Sequence, residues 1–336
     1  MAETVTIKTI ASLLGISPST VSRALQGNPR IGLRTRERVS ELALSLNYVS
    51  NSAARMLKKN TTFTVGVVVP NLHEEFFSLL IAGIEDVLGQ NGFQAIISQS
   101  RDDMEREKKA VEHFLRARVD GLIVSLSATT NEYDHFQRLE RYGIPVVFCD
   151  RTPKGFPSFR VRSSVEAGLR SGLEFLYQKG IRKIALLNGP PYLLSSDERL
   201  NTYLRGMYEL NLETSPNYIR STDLSKEDTI TQIEEILQLE NRPEAIIAFN
   251  DYVALDAIKV VKQKGLVLNK DITFLSFANL PITDHVENGP IASVEQIPYQ
   301  IGSKAGELLH GVLSCPSDIH NYREEVVDSV LKIRGL

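Results

Sequence analysis

The chain has 336 residues, a formal net charge of −3 and 42% hydrophobic residues, which allows two or three domains with sizeable cores. No apolar run approaches the roughly 20 residues that span a bilayer, and residues 1–10 lack a secretory signal pattern, so we expect a cytoplasmic protein without a membrane partner. The two cysteines, Cys149 and Cys315, argue against a metal site and a disulfide framework, and we expect ordinary thiols.

The charge is unevenly distributed along the chain. Residues 1–60 carry nine Lys or Arg and three Glu, a balance of +6, so the remaining chain carries −9. A basic end on an acidic body is the asymmetry expected when one end meets nucleic acid phosphates. A randomly solvated surface does not predict this segregation.

Two short helices separated by a glycine are predicted near the N-terminus. Apolar residues between 7 and 14 have helical spacing, and Gly15 suits the tight turn that ends the first helix. Ser17 is placed as N-cap of the second helix, whose outward face would carry Pro18, Ser19, Ser22 and Arg23. In a helix-turn-helix this face enters the DNA major groove, where hydroxyls and Arg contact bases or phosphates. A helical hairpin with a solvated polar face is the alternative.

A third helix is predicted between Thr35 and Leu46, and Ser52 to Lys58 is predicted as a short hinge helix. Isolated helices below roughly 12 residues are marginal in water, so the hinge would need a partner. Its copy in a dimer, pressed against a minor groove, would supply one. Leu57 could then insert between base steps while Arg55 holds phosphate. A flexible basic linker is the alternative.

These motifs together resemble the DNA-binding headpiece of the lac repressor family. The matching runs are Ser17-Pro18-Ser19-Thr20-Val21-Ser22-Arg23-Ala24-Leu25, Asn28-Pro29-Arg30, Thr35-Arg36-Glu37-Arg38-Val39, Leu46-Asn47-Tyr48 and Ala53-Ala54-Arg55-Met56-Leu57. The resemblance implies a homodimer on a double-stranded DNA operator. The DNA contacts that it implies are Thr6, Ser17, Pro18, Ser19, Ser22, Arg23, Asn28, Arg55 and Leu57. Gln26 and Ser50 depart from the family's usual Asn and Pro.

From Phe63 onward the pattern changes to alternating strands and helices. Near-continuous apolar runs, as buried parallel strands require, predict strands at 63–70, 94–98, 121–125, 145–149, 183–187, 245–249 and 272–277. Helices are predicted between them near 76–88, 104–116, 132–142, 165–178, 199–210 and 253–264. Two consecutive sets of β-α units predict two doubly wound parallel-sheet subdomains with a cleft between them.

The last segments are predicted as an extended run at 290–296, a helix near 299–312 and a strand at 326–333. The resemblance implies that they recross the cleft, in a core like that of periplasmic binding proteins. The expected fold is therefore an all-α helix-turn-helix headpiece followed by an α/β core. The expected divisions are a headpiece at 1–50, a hinge helix and linker at 51–61, a first subdomain at 62–160 with 291–320, and a second at 161–290 with 321–336.

Ligands of open α/β folds bind beyond the carboxyl ends of the strands, so residues just after each strand are candidate effector contacts. The predicted set is Asn71, Phe76, Phe77, Gln99, Ser125, Ser127, Asp150, Arg151, Arg199, Leu224, Phe249, Asn250, Asp251, Asn279 and Gln296. Its aromatic faces and polar groups suit a carbohydrate-like effector. For Asp and Asn after strands, capping of the next helix is the alternative. Arg199 and Asn250-Asp251 match the family best.

Two departures from the family affect the effector. Ser163-Ser164 stands where many relatives carry an acidic residue, and Ser276-Phe277-Ala278-Asn279 stands where they carry Gly-Phe/Tyr-Asp-Asp. Strong acceptors for sugar hydroxyls are therefore missing from two expected places. The effector could be smaller, differently shaped or anionic, and a protein without an effector is a further alternative.

An enzyme is not expected from this sequence. It has neither a Gly-x-Gly-x-x-Gly motif after a strand nor a phosphate-binding Gly-x-x-x-x-Gly-Lys-Ser/Thr motif. Its six histidines show no nucleophile-base spacing, and His73 beside Glu74-Glu75 is better explained as a solvated helix start than as a metal site. We therefore expect no cofactor and no catalytic residues. The prediction is a DNA-binding transcriptional regulator, usually a repressor in this family, controlled by a cleft effector. The alternative is a cleft-type binding protein with a vestigial headpiece.

Overall fold

The computed structural model describes residues 5–48, 61–191 and 193–334. The chain divides into two compact units, residues 1–62 and 63–336. The predicted hinge helix, with Arg55 and Leu57, lies outside the described residues. Within them, no helix is both long and apolar enough to cross a membrane.

Three helices form the N-terminal unit: α1 (Ile7–Leu14), α2 (Pro18–Leu25) and α3 (Leu33–Ser45). Gly15 ends α1 at φ 65°, a left-handed conformation that favours glycine. Apolar side chains from all three helices form one small core, as the helical spacing predicted. Its buried members are Ile10, Ala11, Val21, Ala24, Val39 and Ala43.

The core unit begins with a six-stranded sheet, confirming the first doubly wound set. Its strands are β1 (Thr64–Val69), β2 (Gln94–Gln99), β3 (Gly121–Val124), β4 (Val146–Cys149), β5 (Phe159–Ser164) and β11 (Glu324–Asp328). The spatial order is β11-β5-β4-β3-β1-β2, and every pairing is parallel. The helices of this set are α4 (Glu75–Gln90), α5 (Met104–Ala117) and α6 (Asp134–Arg141). The central strands β1, β3 and β4 are apolar and buried almost throughout, as in other parallel sheets.

A second six-stranded sheet follows with the same architecture. Its strands are β6 (Ile184–Asn188), β7 (Ile219–Ser221), β8 (Ala245–Ala248), β9 (Thr273–Phe277), β10 (Ala292–Glu295) and β12 (Val330–Ile333), in the order β12-β10-β9-β8-β6-β7. Only the β10–β12 pairing within it is antiparallel among the described pairs. The helices of this set are α7 (Glu166–Gln178), α8 (Leu194–Glu209), α9 (Lys226–Leu237) and α10 (Asp251–Gln263).

The crossing points differ from the predicted divisions. Strand β10 pairs in the second sheet, although 291–320 was assigned to the first subdomain. The predicted strand 326–333 is two strands, because Ser329 separates β11 in the first sheet from β12 in the second. Strand β5 extends the first sheet to Ser164, beyond the predicted limit at 160. The chain therefore crosses between the sheets after β5, after β10 and after β11.

The last helix, α11 (Pro298–Ser314), packs closely against α4 in the first subdomain. Gly83 of α4 and Gly302 of α11 allow this approach. A Cβ atom on Gly83 would lie 2.1 Å from the Tyr299 carbonyl oxygen, and one on Gly302 would lie 1.9 Å from the Leu80 carbonyl oxygen. The helix backbones themselves are thus in contact, which joins the late segment to the first subdomain.

Candidate DNA-binding surface and ligand cleft

The outward face of α2 carries the predicted base-reading side chains. Pro18, Ser19 and Arg23 are exposed, and Ser22 is half-buried. The amide Nε2 of Gln26, one of the departures from the family, donates to Ser22 Oγ at 3.5 Å. The face is held in place from behind, because Val21 and Ala24 are buried in the small core. This arrangement presents one guanidinium and two hydroxyls to a partner.

Three other predicted DNA contacts have local structural roles. The Thr6 side chain caps α1 by accepting from the Thr9 amide at 3.3 Å. Ser17 Oγ caps α2 by accepting from the Thr20 amide at 3.1 Å, and Asn28 Oδ1 accepts from the Arg30 amide at 3.0 Å. Such caps satisfy backbone donors that the first turn leaves free. None of these bonds removes the side chains from the surface.

A cavity of about 270 Å³ lies between the two sheets of the core, at the carboxyl ends of their strands. Ten predicted effector contacts line it: Phe76, Phe77, Ser127, Asp150, Arg151, Arg199, Leu224, Phe249, Asn250 and Gln296. They come from segments that follow strands of both sheets, as the strand-end rule predicts. Asn250 also caps α10, where its Oδ1 accepts from the Val253 amide at 2.9 Å.

The other five predicted contacts do not line the cavity. Ser125 is buried and donates to Asp150 Oδ2 at 3.2 Å. Asp251 is buried under the cavity wall, where it accepts from the Leu280 amide at 2.6 Å and from Ser276 Oγ. Asn279 Oδ1 accepts from Arg334 at 2.7 Å. Asn71 caps its own loop through the His73 amide at 2.8 Å, and Gln99 ends β2 at the sheet edge.

Several lining residues were missed by the sequence reasoning. The charged ones are Glu74, Lys154, Arg162 and Glu198, and the others include Thr130 and Tyr133. Glu198 could have been found, because it precedes Arg199 on α8, and Glu74 because it precedes the predicted Phe76. No sequence signal identifies Lys154, which follows β4, or Arg162, which lies within β5. Whether these segments reach the cleft depends on where the chain crosses between the sheets after β5.

Arg199 is the buried cation of the cavity. Its guanidinium carbon lies 4.1 Å from the ring centroid of Phe249 and 4.4 Å from that of Phe277. Its Nη1 donates to the Ser195 carbonyl at 3.1 Å. Burial lowers the pKa of Arg199 to about 10, against the opposing effect of Asp150 and Glu198, so the side chain is cationic at neutral pH. The two rings fix the guanidinium plane through cation–π contact.

Three carboxylates line the same cavity. Burial raises the pKa of Asp150, of Glu74 and of Glu198, more than nearby arginines lower it. Asp150 follows β4 with a φ of 59°, a conformation uncommon for residues other than glycine, asparagine and aspartate. The cavity therefore holds a half-buried acid with a raised pKa together with a buried cation, an arrangement typical of functional sites.

A stability measurement can test the state of Asp150. Since burial raises its pKa, the folded chain keeps the proton to a higher pH than the unfolded chain, and stability falls as the pH rises above the ordinary value of 3.8. Asp150→Asn removes this effect and suits the positive φ. We expect a higher thermal midpoint than wild type at pH 7, with the difference vanishing toward pH 4. Exposed Glu213→Gln is the control, and an unchanged or lower midpoint for Asp150→Asn at pH 7 would contradict the expectation.

The loop 126–133, which lines one side of the cavity, is held from behind by Glu107. This carboxylate is fully buried and accepts from the Ser127 amide at 2.7 Å, from Ser127 Oγ at 2.9 Å and from Thr130 Oγ1 at 2.9 Å. His135 Nε2 lies 3.0 Å from Oε1 of Glu107, the oxygen that also accepts from Thr130. A buried carboxylate with four polar contacts fixes this wall without touching the cavity.

The two units also match two family models. Residues 6–51 match the model described as bacterial regulatory proteins of the lacI family, and residues 62–333 match the periplasmic binding proteins and sugar binding domain of the LacI family. The chain belongs to the LacI family. The predicted resemblance is thus confirmed across almost the whole length.

Relatives of this LacI-family chain agree with the models. The HTH-type transcriptional repressor PurR of Aliivibrio salmonicida is 29% identical over 304 residues, which cover 90% of this chain and 91% of that protein. A lac repressor dimer bound to operator and the anti-inducer ONPF is 25% identical, with a TM-score of 0.82 over 98% of both chains. A CelR–cellobiose complex, at 24% identity, has a TM-score of 0.72 over 98% of both chains.

The family membership decides between the two predicted functions. The chain is a DNA-binding regulator with a ligand-binding core, and the alternative with a vestigial headpiece is not supported. Its relatives are transcriptional regulators and not enzymes. The fold class is confirmed as well, since the helical headpiece and the two parallel-sheet subdomains match the lac repressor fold.

Proposed function

We propose that this protein is a cytoplasmic repressor that binds a pseudo-palindromic DNA operator through α2. The observation that carries the proposal is the exposed face of Pro18, Ser19 and Arg23 on a helix whose other side is buried. The net positive charge of residues 1–60 supports contact of this part of the protein with DNA phosphates. Thr6, Ser17, Ser22 and Asn28 complete the surface within the described headpiece. Arg55 and Leu57 remain predicted DNA contacts.

The effector is proposed to be a small carbohydrate-like molecule in the cleft. Phe76 and Phe249 offer apolar faces, while Asp150, Asn250 and Arg199 offer hydrogen-bonding groups around the same cavity. This mixture suits a ring with several hydroxyls. A ligand that contacts both subdomains binds one of their arrangements more tightly than the other and shifts the protein toward that arrangement. The size of this difference in ligand affinity sets the change in operator affinity.

A homodimer is proposed because one headpiece reads only half of a symmetric site. The apolar side chains of α4 are mostly buried within the monomer, among them Phe77, Leu80 and Ile84. Exposed apolar side chains remain on the same subdomain, at Leu79 of α4 and at Ile96 and Ile97 of the edge strand β2. These support an interface on that side.

The decisive experiment is operator binding by the full-length protein. DNA from upstream of the gene is titrated by fluorescence anisotropy at several salt concentrations. We expect Arg23→Ala to lower specific affinity by roughly 10- to 100-fold, as for a lost bidentate base contact, while affinity for random DNA changes little.

Arg34→Ala is the matched control, because Arg34 is an exposed arginine on α3, outside the predicted base-reading face. It removes the same charge, so it should lower specific and non-specific affinity by similar factors. Equal losses of specificity in the two variants would refute the role of Arg23. Absence of any sequence-specific binding by the wild-type protein would refute the proposed function.

A further inference from the structure

We propose that the effector is a sugar acid, a polyhydroxy compound whose carboxylate binds Arg199 in the cleft. The proposal rests on the proposed function, because it names the chemical class of the ligand for the same cavity. The evidence for it is that the other cations around the cavity form ion pairs, whereas Arg199 forms none with the residues that the structure describes.

Arg199 differs from the other cations that line the cavity. Lys154 lies 3.3 Å from an Asp197 carboxylate oxygen, Arg162 lies 2.9 Å from one of Glu324, and Arg151 pairs with Asp102. Among the described residues, no carboxylate oxygen lies within 4.0 Å of the Arg199 guanidinium nitrogens. Arg199 is only 4% exposed, and its buried Nε has no hydrogen-bond partner. A buried charge without a counter-ion is costly, so an incoming anion is strongly favoured there.

The residues at two positions explain why the protein supplies no such anion. Ala278, which lines the cavity, directly follows Phe277, on whose ring the guanidinium stacks. The family resemblance places an acidic residue at this position and another near Ser163. Ser163 lines the cavity instead, with a buried hydroxyl that has no partner. A ligand carboxylate can therefore take the place of the missing side-chain carboxylate.

Other polar groups that line the cavity can form hydrogen bonds with hydroxyl groups of the same ligand. Asp150 accepts a bond from Ser125 on one oxygen, which leaves acceptor capacity for ligand hydroxyls. The Ser163 hydroxyl can donate or accept. Asp150 and Glu198 line the same cavity as Arg199. A singly charged carboxylate balances the single guanidinium of Arg199, whereas a phosphate would bring a second negative charge against these two carboxylates, which favours a sugar acid over a sugar phosphate.

The test compares acids with their neutral counterparts on the full-length protein. Sodium D-glucuronate, D-galacturonate and D-gluconate are each paired with D-glucose or D-galactose, and glucose 6-phosphate is included. Binding is measured by thermal shift and by isothermal titration calorimetry, at matched sodium chloride concentrations. We expect at least one acid to bind about tenfold or more tightly than its neutral partner. Equal or tighter binding of the neutral sugars, preference for the phosphate, or no binding by any acid would overturn the proposal.

A pair of variants tests the role of position 278. Ala278 has a φ of 91°, and both Asp and Asn tolerate positive φ better than most residues. Ala278→Asp adds a carboxylate to the cavity wall next to Phe277, on whose ring Arg199 stacks. It should therefore weaken acid binding about tenfold or more and favour the neutral sugar. Ala278→Asn has the same size without the charge and should keep the preference for the acid. Equal ligand preferences in the two variants would overturn the proposal.

Operator binding by the wild-type protein and both variants separates this proposal from the proposed function. Ala278 lies in the core unit, so operator affinity without ligand should be the same for all three proteins. If the wild type binds operator and prefers neutral sugars, the regulator stands and the sugar acid fails. If it binds an acid but no specific DNA, the ligand class stands and the repressor fails.

Discussion

Replacing Gly302 by alanine is expected to destabilise the core unit by about 3 kcal/mol, the upper part of the usual range for overpacking. The added Cβ would lie 1.9 Å from the Leu80 carbonyl oxygen and 2.9 Å from its carbonyl carbon. These atoms belong to the backbone of α4, so no side-chain rotation can relieve the overlap. The two helices must separate, which opens the apolar contact between α4 and α11. The midpoint of urea or thermal unfolding measures the effect.

Two glycines in the same helices provide controls. At Gly311 of α11 the nearest atom to an added Cβ is an Arg323 side-chain nitrogen at 3.7 Å, and at Gly89 of α4 no atom lies within 4 Å. Alanine favours a helix over glycine by up to about 1 kcal/mol. Gly311→Ala and Gly89→Ala should therefore leave stability unchanged or raise it. Equal stability of Gly302→Ala and Gly311→Ala would show that the helices do not touch at Gly302.

Most regular elements of the core could be predicted because its central strands are buried on both faces. Runs such as Val65–Val69 and Ala245–Ala248 have no polar alternation and stand out from the flanking helices. Helix α9 was missed, although Ser225 caps it and Ile233 and Ile236 are buried at helical spacing. The signal was present there. Strand β7 has only three residues, too few for a periodicity.

The crossings between the sheets could not be predicted from local pattern. Whether β10 pairs with β9 or joins the first sheet depends on partners far along the chain, and a strand's own residues do not encode them. The resemblance implied several crossings and was correct in that. It did not give the positions of the crossings, and the assignment of 291–320 to the first subdomain was wrong for strand β10.

The candidate site, like the fold, could be predicted only in part. The strand-end rule identifies which residues lie near the cleft, because carboxyl ends of parallel strands meet at one edge. It does not give the direction of each side chain. Asn250 and Asp251 are neighbours at the start of α10, yet Asn250 lines the cavity and Asp251 is buried beneath it. At this helix start the two neighbouring side chains point in different directions, and the strand-end rule does not say which of them faces the cavity.

Asp251→Ala is expected to destabilise the core unit by about 3–5 kcal/mol, because it removes one side of a buried charge network. The Asp251 carboxylate is fully buried and accepts from the Leu280 amide at 2.6 Å, from Ser276 Oγ and from Ser293 Oγ at 3.3 Å. Arg334 Nη1 lies 3.7 Å from it. Removal would leave the Leu280 amide buried without its acceptor and would take the buried carboxylate away from Arg334. The wall segment after β9 would lose its support.

Asp284→Ala is the matched control, since Asp284 lies 3.5 Å from Nε of the same Arg334 but its side chain is 69% exposed. An exposed ion pair contributes at most about 1 kcal/mol, so this variant should unfold close to the wild-type midpoint. Urea unfolding followed by circular dichroism compares the two variants. If Asp251 were an effector contact, its removal would weaken ligand binding and leave the ligand-free protein as stable as Asp284→Ala. A midpoint for Asp251→Ala close to that of Asp284→Ala would therefore restore Asp251 as a candidate ligand contact and contradict its assignment as the buried support of the cavity wall.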